Sequence, residues 1–216
     1  MKSKDLKILR KKLTKANRID NDPLSSFSKD DLTFELSTNS TNTSLEKNTA
    51  LNLKFFISMP DGRLAECCSL FEKNMGELYR KSSWGLNLDE KTSELKHKGA
   101  RFLLLLGLDD SLAGFVHFRF EYDDEERPTQ AVLYLYEIQI DSLYHRQGLG
   151  KNIMAIIEKI AKISDMKKVM LTCFKSNKPA MDFYKDLEYN IDETSPSNFN
   201  EPADYEILSR NMMNGQ

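Results

Sequence analysis

Between residues 131 and 174 a strand pattern, a glycine turn, a helix pattern and a second strand pattern follow one another directly, and this order leaves few folds open. Ala131–Ile140 is apolar and aromatic, 145–151 reads His-Arg-Gln-Gly-Leu-Gly-Lys, and Lys168–Phe174 is apolar again. Between them Ile153, Ile156, Ile157 and Ile160 recur at helical spacing over Leu149–Ile163. Two strands joined by one helix form a βαβ unit. Upstream, 102–108 and 114–120 are further apolar runs, which with Ala131–Ile140 predict an antiparallel meander. Helices are predicted over 64–82, 88–98 and 177–187. Strands are predicted over Thr33–Leu36, 51–57 and 205–209, with a polar loop at 37–48. The chain is therefore α+β, with a mixed, mostly antiparallel central sheet flanked by helices and an N-terminal helical extension.

A length of 216 residues suits one domain with an extension. We divide it into a basic helix and linker over 1–30, packed on the domain, and the domain itself over 31–216. The first segment sets Leu6, Leu9 and Leu13 at helical spacing among Lys4, Lys7, Arg10, Lys11, Lys12 and Lys15. Three readings of it stay open: packing on the domain, contact with a ribosome or nucleic acid, and nuclear localisation. The net charge of -2 hides this basic end and an acidic run at 121–126. No apolar stretch reaches the roughly 18 residues that span a bilayer, and no secretory signal opens the chain, so the expectation is cytoplasm and nucleus with no membrane partner. Cys67, Cys68 and Cys173 lack metal-ligand spacing and read as small buried apolar residues. With His97, His117 and His145 scattered, no metal site is expected, and catalysis points to a cofactor that brings its own reactive group.

The turn at 145–151 opens a helix. A helix N-terminus offers unpaired N–H groups and a partial positive charge, and glycines let a diphosphate approach them. A Walker loop fails for want of Gly-x-x-x-x-Gly-Lys-Ser/Thr, and a dinucleotide fingerprint fails for want of its third glycine. An incidental glycine turn stays open on spacing alone.

The same turn resembles the Arg/Gln-x-x-Gly-x-Gly/Ala acyl-CoA signature of the GNAT superfamily, with His145 where that family has Arg or Gln. Asn177, Ala180, Phe183 and Tyr184 are similar to its Asn-x-x-Ala-x-x-Phe-Tyr element, and the resemblance covers roughly residues 102–189. It implies acetyl-CoA as cofactor, held by Arg146, Gln147, Gly148, Leu149, Gly150, Lys151 and Asn177. It further implies that the strand Ile138, Gln139, Ile140 pairs its backbone with the pantetheine arm.

Over most of its length the chain also resembles the N-terminal acetyltransferase branch called NatD, through Ser83-Trp84-Gly85, His117-Phe118-Arg119-Phe120, Tyr134-Leu135-Tyr136-Glu137 and Tyr205-Glu206-Ile207-Leu208-Ser209-Arg210. That branch acetylates the α-amine of histone tails beginning Ser-Gly-Arg-Gly, without an obligatory auxiliary subunit. The resemblance makes Glu137 the general base acting through water and Tyr184 the acid, though packing of an aromatic helix residue explains Tyr184 equally well. It lines a peptide groove with Trp84, Tyr79, Glu121, Tyr134, Tyr136 and Tyr205. Two bland readings stay open beside it: the acid run as a solvated loop, and Glu137 as a structural carboxylate paired to a cation such as Arg119. The chemical demand is mild, because about a fifth of an α-amine is neutral at cellular pH against about 0.1% of a lysine. The rival functions are a GNAT enzyme for lysine side chains or small amines and a non-catalytic acyl-CoA-binding module.

Overall fold

The computed structural model describes residues 3–18, 20–36 and 49–212, so the loop expected at 37–48 lies outside the described residues. In chain order the elements are α1 (Ser3–Ala16), β1 (Thr33–Leu36), β2 (Thr49–Phe56), α2 (Arg63–Lys81), α3 (Leu88–Leu95), β3 (Arg101–Gly107), β4 (Leu112–Tyr122), β5 (Ala131–Ile140), α4 (Leu149–Ile163), β6 (Lys168–Phe174), α5 (Lys178–Asp186), β7 (Asn190–Ile191) and β8 (Tyr205–Asn211). The strands form one sheet in the order β1-β2-β3-β4-β5-β6-β8-β7, in which β5 and β6 are parallel and every other pair is antiparallel. The α+β architecture with its βαβ unit is thus observed.

Each face of the sheet buries its own core. Leu103, Leu105, Val116, Phe118, Leu133 and Leu135 meet Ile153, Ile157 and Ile160 of α4 on one face, and Phe102, Leu104, Leu106 and Phe115 meet Phe71 of α2 and Leu95 of α3 on the other. β3 is buried along almost its whole length because both faces are covered, and so it reads as an unbroken apolar run. α1 lies on the first face with Leu9, Leu13 and Ala16 turned to the core, and Lys12 pairs with Asp165 at 2.7 Å. Its C-terminal end is pinned as well. Asn17 donates to the Phe120 carbonyl at 3.0 Å, and the buried Arg101 donates to the Asn17 carbonyl at 3.0 Å.

Two irregularities in the middle of the sheet position the site. β5 pairs with β6 only at Leu133↔Val169, Tyr134↔Met170 and Leu135↔Leu171, so beyond Leu135 the two strands part. Against β4 the register steps from His117↔Glu137 to Phe118↔Leu135, leaving Tyr136 as an extra residue: a β-bulge. Strict alternation would put Tyr136 and Glu137 on opposite faces. The bulge instead turns both toward the α2–α3 face.

Several boundaries move. Strand β4 runs on to Tyr122, so Glu121 pairs opposite Val132 rather than sitting in the hairpin loop, which begins at Asp123. α3 stops at Leu95, three residues early, where the chain turns through Lys96 toward Gly99. β7, only two residues long, offers too little periodicity to be seen in advance. Cys67 and Cys173 are buried, with their thiols pushed up by burial to about 12 and about 11, whereas Cys68 is only half-buried, its sulfur 3.7 Å from the Thr92 hydroxyl.

At Gly114 the backbone of β5 leaves no room for a side chain: a Cβ there would stand 2.7 Å from the Gln139 carbonyl oxygen and 3.3 Å from Ile140 Cα. Backbone cannot yield as a side chain can. Gly114→Ala is expected to cost about 2 kcal/mol and to lower the melting temperature by roughly 4 to 8 °C; an unchanged melting curve would show that the strands part without penalty.

Candidate active site

A cavity of about 450 Å³ opens where β5 and β6 part, reaching from the acidic hairpin, past α2 and α3, to the start of α5. At its centre is Glu137, 5% exposed. The Oε1 of Glu137 accepts from Lys91 Nζ at 2.7 Å, and its Oε2 accepts from Gln139 Nε2 at 2.7 Å. Burial pushes the Glu137 carboxyl above the usual carboxylate range, an effect that Lys91 offsets only in part. Burial alone would weaken the Lys91 ammonium, but Glu137 and Glu94 outweigh it and keep the amine charged.

The cation beside Glu137 is therefore Lys91, and the expected alternative, Arg119, is engaged elsewhere. Its guanidinium donates to the Glu94 carbonyl at 2.8 Å and to His117 Nε2 at 3.2 Å, and it lies 4.1 Å from the Tyr136 ring centroid. His117, stacked between Phe102 and Tyr136 at 5.1 and 4.8 Å, is held neutral by burial. This stack fixes the bulge residue. Tyr136 in turn donates to both Glu121 oxygens at 3.0 and 3.2 Å, and burial raises the Glu121 carboxyl.

The outer wall joins acid to aromatic rings. Glu121, Asp123, Asp124 and Glu125 line the cavity together with Tyr79, Trp84, Tyr134 and Tyr136. Most of the acid run thus borders the cavity, while Glu125 and Glu126 are exposed on the hairpin loop. Tyr134 meets the Thr172 hydroxyl at 2.6 Å, and burial lifts its phenol to about 12. Trp84 remains 49% exposed with its ring edge toward Phe174 at 5.1 Å. Tyr205 does not line the cavity as expected; it packs behind Trp84 at 5.1 Å. Asp204 holds the Trp84 loop from below, accepting from the Ser83 N–H at 2.6 Å and the Ser83 hydroxyl at 3.1 Å.

Past Glu137 the cavity runs along Ile138, Cys173, Asn177, Ala180 and Tyr184. Asn177 caps α5, its side chain accepting from the Ala180 N–H at 3.4 Å. Tyr184 is buried, burial raises its phenol, and its hydroxyl has no hydrogen-bond partner among the described residues. Of the three residues expected to pair through their backbone, Ile138 faces the opening, whereas Gln139 turns its side chain to Glu137. Ile140 ends the strand. Its carbonyl is already taken by Asn74 Nδ2 at 3.0 Å and His145 Nε2 at 2.9 Å.

The glycine turn supplies a cradle that fits a diphosphate. Arg146 and Gly148 adopt positive φ of 62° and 80°, Gly148 is the N-cap of α4 with no side chain capping it, and nothing lies within 4 Å of where its Cβ would be. The first intrahelical bond runs from Asn152 N–H to the Gly148 carbonyl at 3.1 Å, which leaves the amides of Leu149, Gly150 and Lys151 for an acceptor. No acidic residue stands in that first turn, while Arg146 and Lys151 are exposed beside it. Leu149 contributes only backbone, its side chain being buried in the core. Gly150 has a different reason from the one expected: a Cβ there would meet the Phe183 ring of α5 at 3.3 Å.

A sheet that opens between two parallel strands, beside a helix that begins on bare amides, defines an acyl-transfer fold, and the model of the Acetyltransferase (GNAT) family matches residues 53–189. The chain belongs to this family, and acetyl-CoA is its cofactor. N-alpha-acetyltransferase 40 of Saccharomyces cerevisiae is 25% identical over 173 residues, covering 71% of this chain; the chain spans 61% of that relative. Among solved structures, the PaiA N-acetyltransferase of Thermoplasma acidophilum in complex with coenzyme A superposes with a TM-score of 0.54 at 16% identity, over 74% of this chain and 99% of that one. The ribosomal-protein-S18-alanine N-acetyltransferase of Escherichia coli does so with a TM-score of 0.50 at 16% identity, over 76% and 97%. At these identities the likeness is one of fold.

Lys91, Glu94 and Asn74 escaped the reading of the sequence. Each is a polar residue on an amphipathic helix, where the same letters ordinarily face water. Only the packing of α2 and α3 over β5 turns them inward.

Proposed function

We propose that the chain is an N-terminal acetyltransferase of the NatD kind, which acetylates the α-amine of peptides beginning Ser-Gly-Arg-Gly, such as histone tails. The observation that carries this reading is the cavity itself, acidic and aromatic at its mouth with a buried carboxylate at its centre. A basic tail complements Glu121, Asp123, Asp124 and Glu125, and Trp84, Tyr134 and Tyr136 give the first residues flat walls. The sequence match to an N-alpha-acetyltransferase supports the same reading.

When bound, acetyl-CoA supplies the activated acetyl group. The chain's own residues would do the rest. The amides of Leu149, Gly150 and Lys151 anchor the diphosphate, and Ile138 and Asn177 border the path toward Glu137. Glu137, its affinity for protons raised by burial, takes the amine's proton through water, so the amine meets its acceptor neutral. Tyr184, which lines the inner end of the cavity with a phenol that burial keeps protonated, would supply the proton for the departing thiolate. The reading keeps the enzyme in cytoplasm and nucleus, with the exposed cations of α1 facing a ribosome or nucleic acid.

Mass spectrometry after incubation with acetyl-CoA tests it, using Ser-Gly-Arg-Gly peptides in which either the α-amine or one lysine is the sole free amine. Acetylation of the α-amine is expected; modification confined to lysine overturns the reading. Glu121→Gln should raise KM for the arginine-bearing peptide by about tenfold but leave a peptide with alanine in third place nearly unaffected, since one charge-assisted hydrogen bond is lost.

A further inference from the structure

Both oxygens of Glu137 are restrained, and the restraint on one of them is a charge. Lys91 reaches inward from α3 with its side chain 7% exposed, and the Glu137 side chain is 5% exposed. The ammonium also donates to Glu94 Oε1 at 2.8 Å and stands 4.6 Å over the Phe71 ring. On the other side, Gln139 is itself oriented by Asn74, whose Nδ2 donates to Gln139 Oε1 at 3.0 Å. A buried ammonium is costly unless it is paired. Two carboxylates and an aromatic face offset that cost here.

We infer that Lys91 is a positioning residue for catalysis: it keeps Glu137 ionised and aimed into the cavity while tying α3 to β5. The inference rests on reading Glu137 as the base. The groups acting on that carboxylate are Lys91 and Glu94 from α3, Gln139 from β5, Tyr79 from α2 and Tyr184 from α5, with His117 opposite it on β4 and Arg119 and Tyr136 in the neighbouring stack. Arg119 is committed to the Glu94 carbonyl and the Tyr136 ring, His117 is neutral, and burial keeps the tyrosines protonated. Among the described residues, Lys91 is therefore the cation that touches Glu137. Without its charge, burial and repulsion by Glu94 both favour the protonated carboxyl. A protonated carboxyl cannot take up the amine's proton, so activity would fall below the shifted midpoint and return as the pH rises through it.

The test begins with ligand-free protein. Its Glu137 carboxyl signal is followed by carbon-13 NMR titration and assigned by its loss in Glu137→Gln. Lys91→Met should move the midpoint up by at least about one pH unit, and Glu94→Gln should move it down. Below the shifted midpoint, turnover of a Ser-Gly-Arg-Gly peptide by Lys91→Met should be lower than that of the wild type by at least roughly tenfold, matching the one-unit shift, and the deficit should close as the pH rises above it, while Lys91→Arg, which keeps the charge, retains most of the turnover. A purely structural role would lower turnover by one factor at every pH. An unmoved or lowered midpoint in folded Lys91→Met overturns the inference; if that variant does not fold, an unmoved midpoint in Glu94→Gln does so. Should the midpoints move as expected while Glu137→Gln keeps full turnover, the base assignment falls, and the inference with it. If Glu137→Gln loses turnover but the Lys91→Met profile only runs parallel to that of the wild type, the inference alone is lost.

Discussion

Exchanging Glu137 for glutamine is expected to lower kcat by on the order of 10² to 10³, while the dissociation constant for acetyl-CoA stays within about twofold. The change is nearly isosteric and removes the charge together with the capacity to take a proton. Lys91 keeps a second carboxylate in Glu94 at 2.8 Å, so the loss of charge at 137 does not strand a buried cation. The diphosphate cradle lies at the far end of β5 and does not involve this side chain. Stopped-flow turnover beside calorimetric titration of the cofactor separates the two quantities. Unaltered turnover would remove Glu137 from the chemistry and leave it a counterion.

Gly148→Glu is expected to act on the other half of the site, weakening acetyl-CoA binding by at least about 100-fold, or roughly 2.7 kcal/mol. Two effects add. The N-cap of α4 has φ of 80°, a left-handed conformation that costs a residue bearing a Cβ about 1 to 2 kcal/mol. The new carboxylate then occupies the space in front of the bare amides and repels a diphosphate. Gly148→Ala carries the strain without the charge and should show the smaller loss. Retained affinity in Gly148→Glu would place the cradle elsewhere.

The elements around the cradle were legible in advance, and the reason is physical. Four isoleucines at helical spacing, a run of alternating apolar residues and glycines at a turn act over a few residues each, so Ala131–Ile140, Leu149–Ile163 and Lys168–Phe174 stand where their patterns put them. Glu137 was conspicuous because a carboxylate inside an apolar strand is costly to bury. Its partner was not. Arg119, nearby in sequence and on the adjacent strand, was the natural candidate, yet the ammonium comes from α3, whose lysine looks like any other on a polar helix. Tyr205 likewise read as groove lining and proved to be the support behind Trp84.

The order of helices and strands, the glycine turn that begins α4 and the presence of an unusual carboxylate in β5 were written in the chain itself, because local backbone preference and the spacing of apolar residues determine them. Which way that carboxylate points was decided by tertiary structure alone. It takes the extra residue Tyr136 in the β4–β5 pairing to bring ring and acid to one face, and the parting of β5 from β6 to open the space before them. Register and strand separation arise from contacts between distant segments, whose sum no single segment carries.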